Sequence, residues 1–396
     1  MAEHKLSHEK DSFTPGPHSY LTSPAYADDG SNSTENHNGT LNSSMVVENH
    51  LNRSYYLDNY GELLSEALSK NREIRSNLYA RYKRTGDRRY YVAYVDAGYA
   101  VGVFQKIKSR RPLRSDEKIT EIKTIQANNA YYSHRLSPSD TRIFIFNNKT
   151  GITEFRSSLP FVYYKYKGWN LYPVTASNLA SSLNNTRDFL EVLDELKLHG
   201  TCRTYRGMRY ALFPMYFDYC GSGTGWLDSF AQGNLAGLYG RAYNITGNTE
   251  YLDTSRGLVN SFYAPVGLVK STKYGNFYLH YNFMRQHYIL NAHLICTLGF
   301  QRAYTYTGNS RAFLIFRNGV STFRAMHHRF DSGRWTYYAV DGGSYRPAWL
   351  ASVSYHRLHV QLANSLWMAT GDSYYRRIAV RWNSYLKRKG LKPERL

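Results

Sequence analysis

Along most of the chain apolar positions recur every three or four residues, the spacing of one face of a helix. Leu63, Leu64, Ala67, Leu68, Ile74 and Leu78 form such a stripe over residues 56–84. Ser115-Asp116-Glu117 offers a cap ahead of Ile119, Ile122 and Ile125. The period drops to two over 141–146 and 152–155, either side of Asn147-Asn148-Lys149-Thr150-Gly151, which predicts a hairpin. From about Pro160 the helical period returns, with helices expected at 172–183, 187–198, 226–245, 249–262, 285–306, 310–326, 350–369 and 372–388. Gly-rich or aromatic extended pieces at 267–282 and 330–344 lie between helix pairs. Residues 1–50, rich in Ser, Asn, His, Asp and Glu, have little to bury and read as disordered. The pattern therefore divides into a polar tail (1–55), a mixed α/β module (56–160) and a helical domain (161–396).

The helical part repeats itself. Arg241-Ala242-Tyr243 leads to Thr246-Gly247-Asn248, Arg302-Ala303-Tyr304 to Thr307-Gly308-Asn309, and Ser365-Leu366-Trp367 to Thr370-Gly371-Asp372. The glycines stand 61 and 63 residues apart, a fixed period that marks a repeat architecture. Gly closes one helix in the left-handed conformation and the following Asn or Asp caps the next. A fourth phrase, Thr85-Gly86-Asp87, lies off the spacing and carries less weight. Paired helices with extended inserts at one end predict a mainly α protein, an (α/α) toroid with its site in the central cavity.

Composition sharpens the picture in two ways. Tyrosine is in excess, 38 residues against 18 Phe and 6 Trp, and offers flat apolar area with a polar tip suited to carbohydrate. Lys and Arg outnumber Asp and Glu by 50 to 30, a net charge of +20 that favours a polyanionic partner, with local runs at 106–114 and 385–395. No zinc spacing, RNA-binding signature or basic heptad helix accompanies that charge, so nucleic acid is the weakest partner class. Cys202, Cys220 and Cys296 make no disulfide framework. No signal-peptide core or membrane span is visible in the sequence, so the cytoplasm is the default expectation despite sequons such as Asn38 and Asn42. No phosphate loop, dinucleotide fingerprint or Ser-His-Asp signature is present. His356 and His359 have a metal-pair spacing without an identifiable third ligand, and His287 and His293 lie six apart, so no metal is expected.

From about Gly168 to Tyr385 the chain resembles the D-glucuronyl C5-epimerase family. Gly225-Trp226, Ala231-Gln232-Gly233-Asn234 and Arg241-Ala242-Tyr243 are similar to the family's Trp…Gln-Gly…Arg-Ala-Tyr helix. Tyr281 followed by Tyr288-Ile289-Leu290-Asn291 resembles the segment joining a catalytic Glu-Tyr to a Leu-Asn helix start. Asp331-Ser332-Gly333, with Arg334 next and Thr336-Tyr337-Tyr338 beyond, resembles its Asp-Thr-Gly…Tyr insert. Tyr355-His356-Arg357-Leu358-His359 and Arg381-Trp382-Asn383-Ser384-Tyr385-Leu386 complete the set.

The resemblance implies inversion of carbon 5 of glucuronate within a heparosan-like polymer, giving iduronate, with no cofactor and with a homodimer as a reasonable assembly. It implies Tyr281 and Tyr355 as acid/base groups, Tyr338 orienting the sugar, and His280 where the family has Glu. It also implies substrate contacts from Trp226, Gln232, Asn234, Arg241, Asn291, Arg334, His356 and His359. The chemistry asks for neutralisation of the uronate carboxylate and for two acid/base groups on opposite faces of the ring, a task open to tyrosines whose pKa a nearby cation lowers. Histidine does not supply the negative charge of Glu, and Ala339 replaces the family's Asp. Two other readings therefore stand beside the epimerase: a uronate lyase sharing the abstraction step, and a non-catalytic acidic-glycan-binding protein.

Overall fold

The computed structural model describes residues 52–138 and 142–396; the polar tail through residue 51, with its two sequons, and residues 139–141 lie outside the described residues. The chain begins α1 (Arg53–Asp58), α2 (Tyr60–Thr85), α3 (Arg88–Lys108) and α4 (Ser115–His134). Next come β1 (Ile143–Ile145), β2 (Pro160–Tyr164), β3 (Gly168–Leu171), α5 (Pro173–Ser182), α6 (Thr186–Leu198), β4 (Thr201–Tyr205) and β5 (Met208–Leu212). It continues with α7 (Ser229–Thr246), α8 (Thr249–Ser261), β6 (Val269–Thr272), β7 (Gly275–Tyr278), β8 (His287–Ile289), α9 (Leu290–Thr307) and α10 (Ser310–Met326). The last elements are β9 (Tyr337–Asp341), β10 (Pro347–Leu350), α11 (Val353–Thr370) and α12 (Ser373–Arg388). The protein is mostly helical, with small antiparallel sheets between helix pairs.

One capping device ends α2, α7, α9 and α11. Gly86, Gly247, Gly308 and Gly371 all take φ between 64° and 69°. Asp87, Asn248, Asn309 and Asp372 then accept from the backbone N–H two residues on. The preceding threonine completes it: each hydroxyl donates to the carbonyl four residues back and accepts from the N–H of the capping residue. The off-period phrase at Thr85-Gly86-Asp87 is thus the same joint, and it launches α3, a helix that the hydrophobic pattern did not predict.

The serial neighbours α5, α7, α9 and α11 pack side by side, each with its hairpin partner α6, α8, α10 or α12. The α7–α9 crossing is the closest. A Cβ on Gly299 would fall 2.1 Å from the Gly233 carbonyl oxygen, so backbone touches backbone there. One apolar cluster runs from Ile74 and Leu78 to Trp382 and Leu386. Lys123 on α4 and Glu195 on α6, both buried, form an ion pair at 2.5 Å, and Ser157 and Ser158 also donate to Glu195. That environment holds the Glu195 carboxyl down at about 2: burial opposes ionisation, but the Lys123 charge outweighs it.

Three expectations need correction. β1 pairs with β2 rather than with 152–155, because Ile152 and Phe155 turn into the core as an irregular crossing. The helix expected from residue 285 starts at Leu290, since His287–Ile289 pairs with β9. The basic run at 106–114 is only partly a free surface: Lys106 and Arg110 are exposed, but Lys108, Arg111 and Arg114 pair with Glu121, Glu117 and Asp116, whose carboxylates are buried on α4. None of the helices among the described residues is long and apolar enough to cross a membrane.

Candidate active site

The first turn of α7 and the segment after β7 are laced together. Ser229 N–H donates to Leu279 O, Asn282 N–H to Leu227 O, and Leu227 N–H to Asn282 Oδ1. This lacing sets His280 above Asp228, the α7 N-cap, whose Oδ1 accepts from Phe230 N–H. His280 Nδ1 lies 2.7 Å from Asp228 Oδ2, and both side chains are buried. Burial raises the Asp228 carboxyl above its ordinary value, while the contact with His280 works the other way.

Tyrosines surround this pair. The Tyr281 ring lies 4.1 Å from the His280 ring, and Tyr219, Trp226 and Phe283 pack around it. β8–β9 pairing brings Ala339 opposite Ile289 at the start of α9, and Tyr338 rides on that strand. Tyr355, in the first turn of α11, meets Tyr338 with ring centroids 4.5 Å apart. Tyr281 shares a hydrogen bond with Tyr219, and Tyr338 with Tyr355. The site thus contains two hydroxyl pairs beside a carboxylate–imidazole pair.

The tyrosines differ electrostatically from the expectation. Burial pushes the Tyr281 and Tyr338 hydroxyls well above 10, and neighbouring phenols and Asp228 add to the effect. Tyr219, half-buried, is pushed up to about 12, again mainly by burial. No cation lowers them, so these groups are neutral hydroxyls that donate hydrogen bonds. Tyr281 and Tyr338 are 3% and Tyr355 6% exposed, so the outward members of the cluster are Tyr164, Tyr219 and the exposed Cys220. Tyr219 and Cys220 sit on a loop in which Cys220, Gly221, Gly223 and Gly225 all have φ between 49° and 79°.

The remaining sequence candidates lie elsewhere or are engaged in packing. Trp226 backs the cluster and spends its indole N–H on Phe217 O. Gln232 holds β5 and its sequel through Ala211 O and Phe213 N–H. Asn234 bonds Arg302 and Ser181 on neighbouring helices. Arg241 covers the Phe189 ring at 4.4 Å, and Arg334 is exposed on a turn. Asn291 is buried with neither amide atom hydrogen-bonded.

His356 and His359 share one hydroxyl. His356 Nε2 donates to Trp382 O at 3.0 Å, so its Nδ1 accepts, taking Thr336 Oγ1–H at 2.8 Å and the weaker Thr336 N–H at 3.3 Å. Thr336 Oγ1 must then accept from His359 Nδ1–H at 2.9 Å. Burial lowers the two imidazoles to about 4 and about 3. Asp331 likewise binds Trp382 Nε1, Tyr385 Oη, Arg381 Nε and Gly333 N. These family-like phrases therefore tie β9 to α11 and α12, which brings Tyr338 to Tyr355.

Sequence reasoning missed Asp228 as a partner of His280, and it missed Tyr219. In the sequence Asp228 is a carboxylate near the family-like motifs, inside the helix expected at 226–245, with nothing that ties it to residue 280. For Tyr219 the available signal was an aromatic residue in a Gly-rich loop just before Trp226.

Residues 206–384 match the family described as D-glucuronyl C5-epimerase C-terminus, so the resemblance stands over that stretch. An uncharacterized protein of Methanocaldococcus jannaschii is 29% identical over 180 residues, covering 43% of this chain and 54% of the relative. The match thus spans about half the length of that relative. The crystal structure of a sugar epimerase from a ruminal bacterium superposes with a TM-score of 0.43 at 9% identity, covering 74% of this chain and 75% of that one.

Proposed function

We propose that the protein is a carbohydrate epimerase that inverts carbon 5 of D-glucuronate to L-iduronate in a heparosan-like polymer. The observation that carries the reading is the buried Asp228–His280 pair at the heart of the tyrosine cluster. Histidine at 280 lacks the negative charge of the family Glu, and Asp228 returns a carboxylate to the same place. Asp228 Oδ2, 2.7 Å from Nδ1, favours the tautomer with its proton on that nitrogen and so leaves Nε2 to serve as the base. The imidazole takes the carbon-5 proton directly or through the Tyr281 hydroxyl, and the electron pair moves onto the uronate carboxylate. Tyr355, hydrogen-bonded to Tyr338, delivers a proton to the opposite face; its phenolate and the imidazolium are then reset by proton exchange through the remaining hydroxyls and water. Neutral phenols suit the delivering role: Tyr338 donates to the Tyr355 oxygen and supports the phenolate formed there, and Tyr219, which accepts from Tyr281, donates to the charge that develops on the carboxylate. A polymer reaches these groups once Tyr219 and its loop move aside. The serial packing of α5, α7, α9 and α11 supports an (α/α) toroid around the site.

The test is deuterium exchange in heavy water with heparosan and other glucuronate polymers, read at carbon 5 by NMR. Incorporation with new iduronate signals, abolished in Tyr355→Phe and His280→Ala, is expected. No incorporation on any polymer would sink the reading. Ultraviolet absorbance from an unsaturated uronate would replace it with a lyase.

A further inference from the structure

The joint between α2 and α3 lies outside the family-matched stretch and carries an exposed patch of tyrosine and cation. Four rings form a continuous facet: Tyr79 against Tyr94 and Tyr82 against Tyr91 at 5.2 Å, cross-linked by Tyr79–Tyr82 and Tyr91–Tyr94 at 6.2 Å. Tyr79 and Tyr91 are 42% and 38% exposed, although apolar ring area of this size is ordinarily buried. Arg75 lies 4.5 Å over the Tyr94 ring and Lys83 5.9 Å over Tyr79. Lys83, Arg84 and Arg88 are exposed, and among the described residues no carboxylate pairs with them; Asp87 is taken by Arg89. This contrasts with Lys108, Arg111 and Arg114 of the 106–114 run, which neutralise buried acids. The facet borders a groove of about 270 Å³ between α2 and the end of α4, where Lys70 is paired with Glu73 and His134 with Glu154, while Arg81, which also reaches over Tyr90, and Arg135 have no carboxylate partner among the described residues.

We propose that this tyrosine facet and its free cations form a second, non-catalytic binding surface for an acidic polysaccharide chain. Sugar rings lie face-on against exposed aromatic area, and the unpaired cations complement carboxylate or sulfate groups spaced along the polymer. The choice of a uronate chain among polyanions rests on the function proposed above. Such a surface holds a long substrate while successive residues visit the tyrosine cluster.

Two variants test it: Lys83→Gln/Arg84→Gln/Arg88→Gln, and Tyr79→Ser/Tyr91→Ser. All five side chains are exposed, and circular dichroism checks that the fold is intact. Binding of full-length protein to immobilised heparosan is measured across a salt series, beside carbon-5 exchange on a short oligosaccharide. Expected for the cation variant is about tenfold weaker polymer binding, each exposed pair being worth a factor of about two, with a shallower salt dependence and unchanged oligosaccharide exchange. The tyrosine variant weakens polymer binding without changing the salt dependence. Polymer binding equal to wild type in both variants overturns the proposal. So does a wild-type protein that binds single-stranded RNA through these residues but not heparosan. If no exchange occurs while heparosan binding still falls in the variants, the surface stands and the epimerase reading fails.

Discussion

Replacing Thr336 by Val keeps the shape of the side chain and removes one hydroxyl, but that hydroxyl serves two histidines at once. His356 Nδ1 loses its 2.8 Å donor and keeps only the 3.3 Å backbone amide. His359 Nδ1–H loses its acceptor altogether, and its Nε2 already has no partner. All three side chains are buried, so water does not replace the lost bonds. A buried unsatisfied polar group costs about 1–3 kcal/mol, so one complete and one partial loss together cost about 2–4 kcal/mol. For a protein of this size that lowers the thermal midpoint by roughly 5 °C. Thr336→Ser keeps the hydroxyl and loses a methyl group, at about 1 kcal/mol or less. Urea unfolding of the three proteins decides the matter. If the Val variant lies within about 0.5 kcal/mol of wild type, the assignment of donors and acceptors around Thr336 is wrong. The knot also sets β9 against α11, so the Val variant should lose carbon-5 exchange at temperatures where it is still folded, and the Ser variant should keep it.

Further outcomes follow from other contacts. Asp228→Asn keeps the α7 cap but removes the charge facing His280; carbon-5 exchange should fall about 10²-fold or more with little change in thermal midpoint. Burial holds His199, His293, His356 and His359 at about 3, 4, 4 and 3, below the ordinary 6.5. Their unfolded forms take up protons below 6.5 while the native forms do not, so stability is lost as pH falls from there toward the folded values. Between pH 7 and 5.5 the four together remove at most about 5 kcal/mol, and Asp96, raised to about 6 by burial, restores about 1. Urea midpoints should therefore drop across that interval, and a flat profile would contradict the burial of these rings. Gly299→Ala should destabilise by about 1–3 kcal/mol or block folding, since its Cβ meets the Gly233 carbonyl, whereas Gly61→Ala, with open space around it, should gain about 0.5–1 kcal/mol.

The Thr-Gly-Asn and Thr-Gly-Asp phrases could be read in the sequence because capping is local: the residues that form each joint are adjacent in the chain. The eight helices from residue 173 onward followed from the same periodicity. α3 did not, because it buries small residues such as Ala93, Ala97 and Ala100 together with Asp96, and tyrosines spread over its other faces blur the stripe. α4 was recognisable, but nothing in its sequence marked Glu117, Glu121 and Lys123 as buried residues, each paired with a charge contributed from outside the helix. In the site, Tyr281, Tyr338, Tyr355 and His280 could be named from motif resemblance. The Asp228–His280 contact could not, since it joins an unremarkable cap to a loop some fifty residues away. The reverse also held: His356, His359 and Gln232 lie within family-like phrases, yet the hydrogen bonds they make hold elements of the fold together.

The glycine contact between α7 and α9 bears on how the protein can move. Two helices whose main chains touch have no layer of side chains to deform, so neither sliding nor rolling is available to them. Asp228 begins one of these helices and the β8–β9 junction beneath Tyr338 begins the other. The Asp228–His280 pair and the strand that carries Tyr338 are therefore mounted on a single stiff beam, and their separation is fixed. In the reaction proposed above, accommodation of a bulky polymer falls to the glycine-hinged loop of Tyr219, which would make that loop, rather than the chemistry, the part of the molecule through which substrate preference is altered.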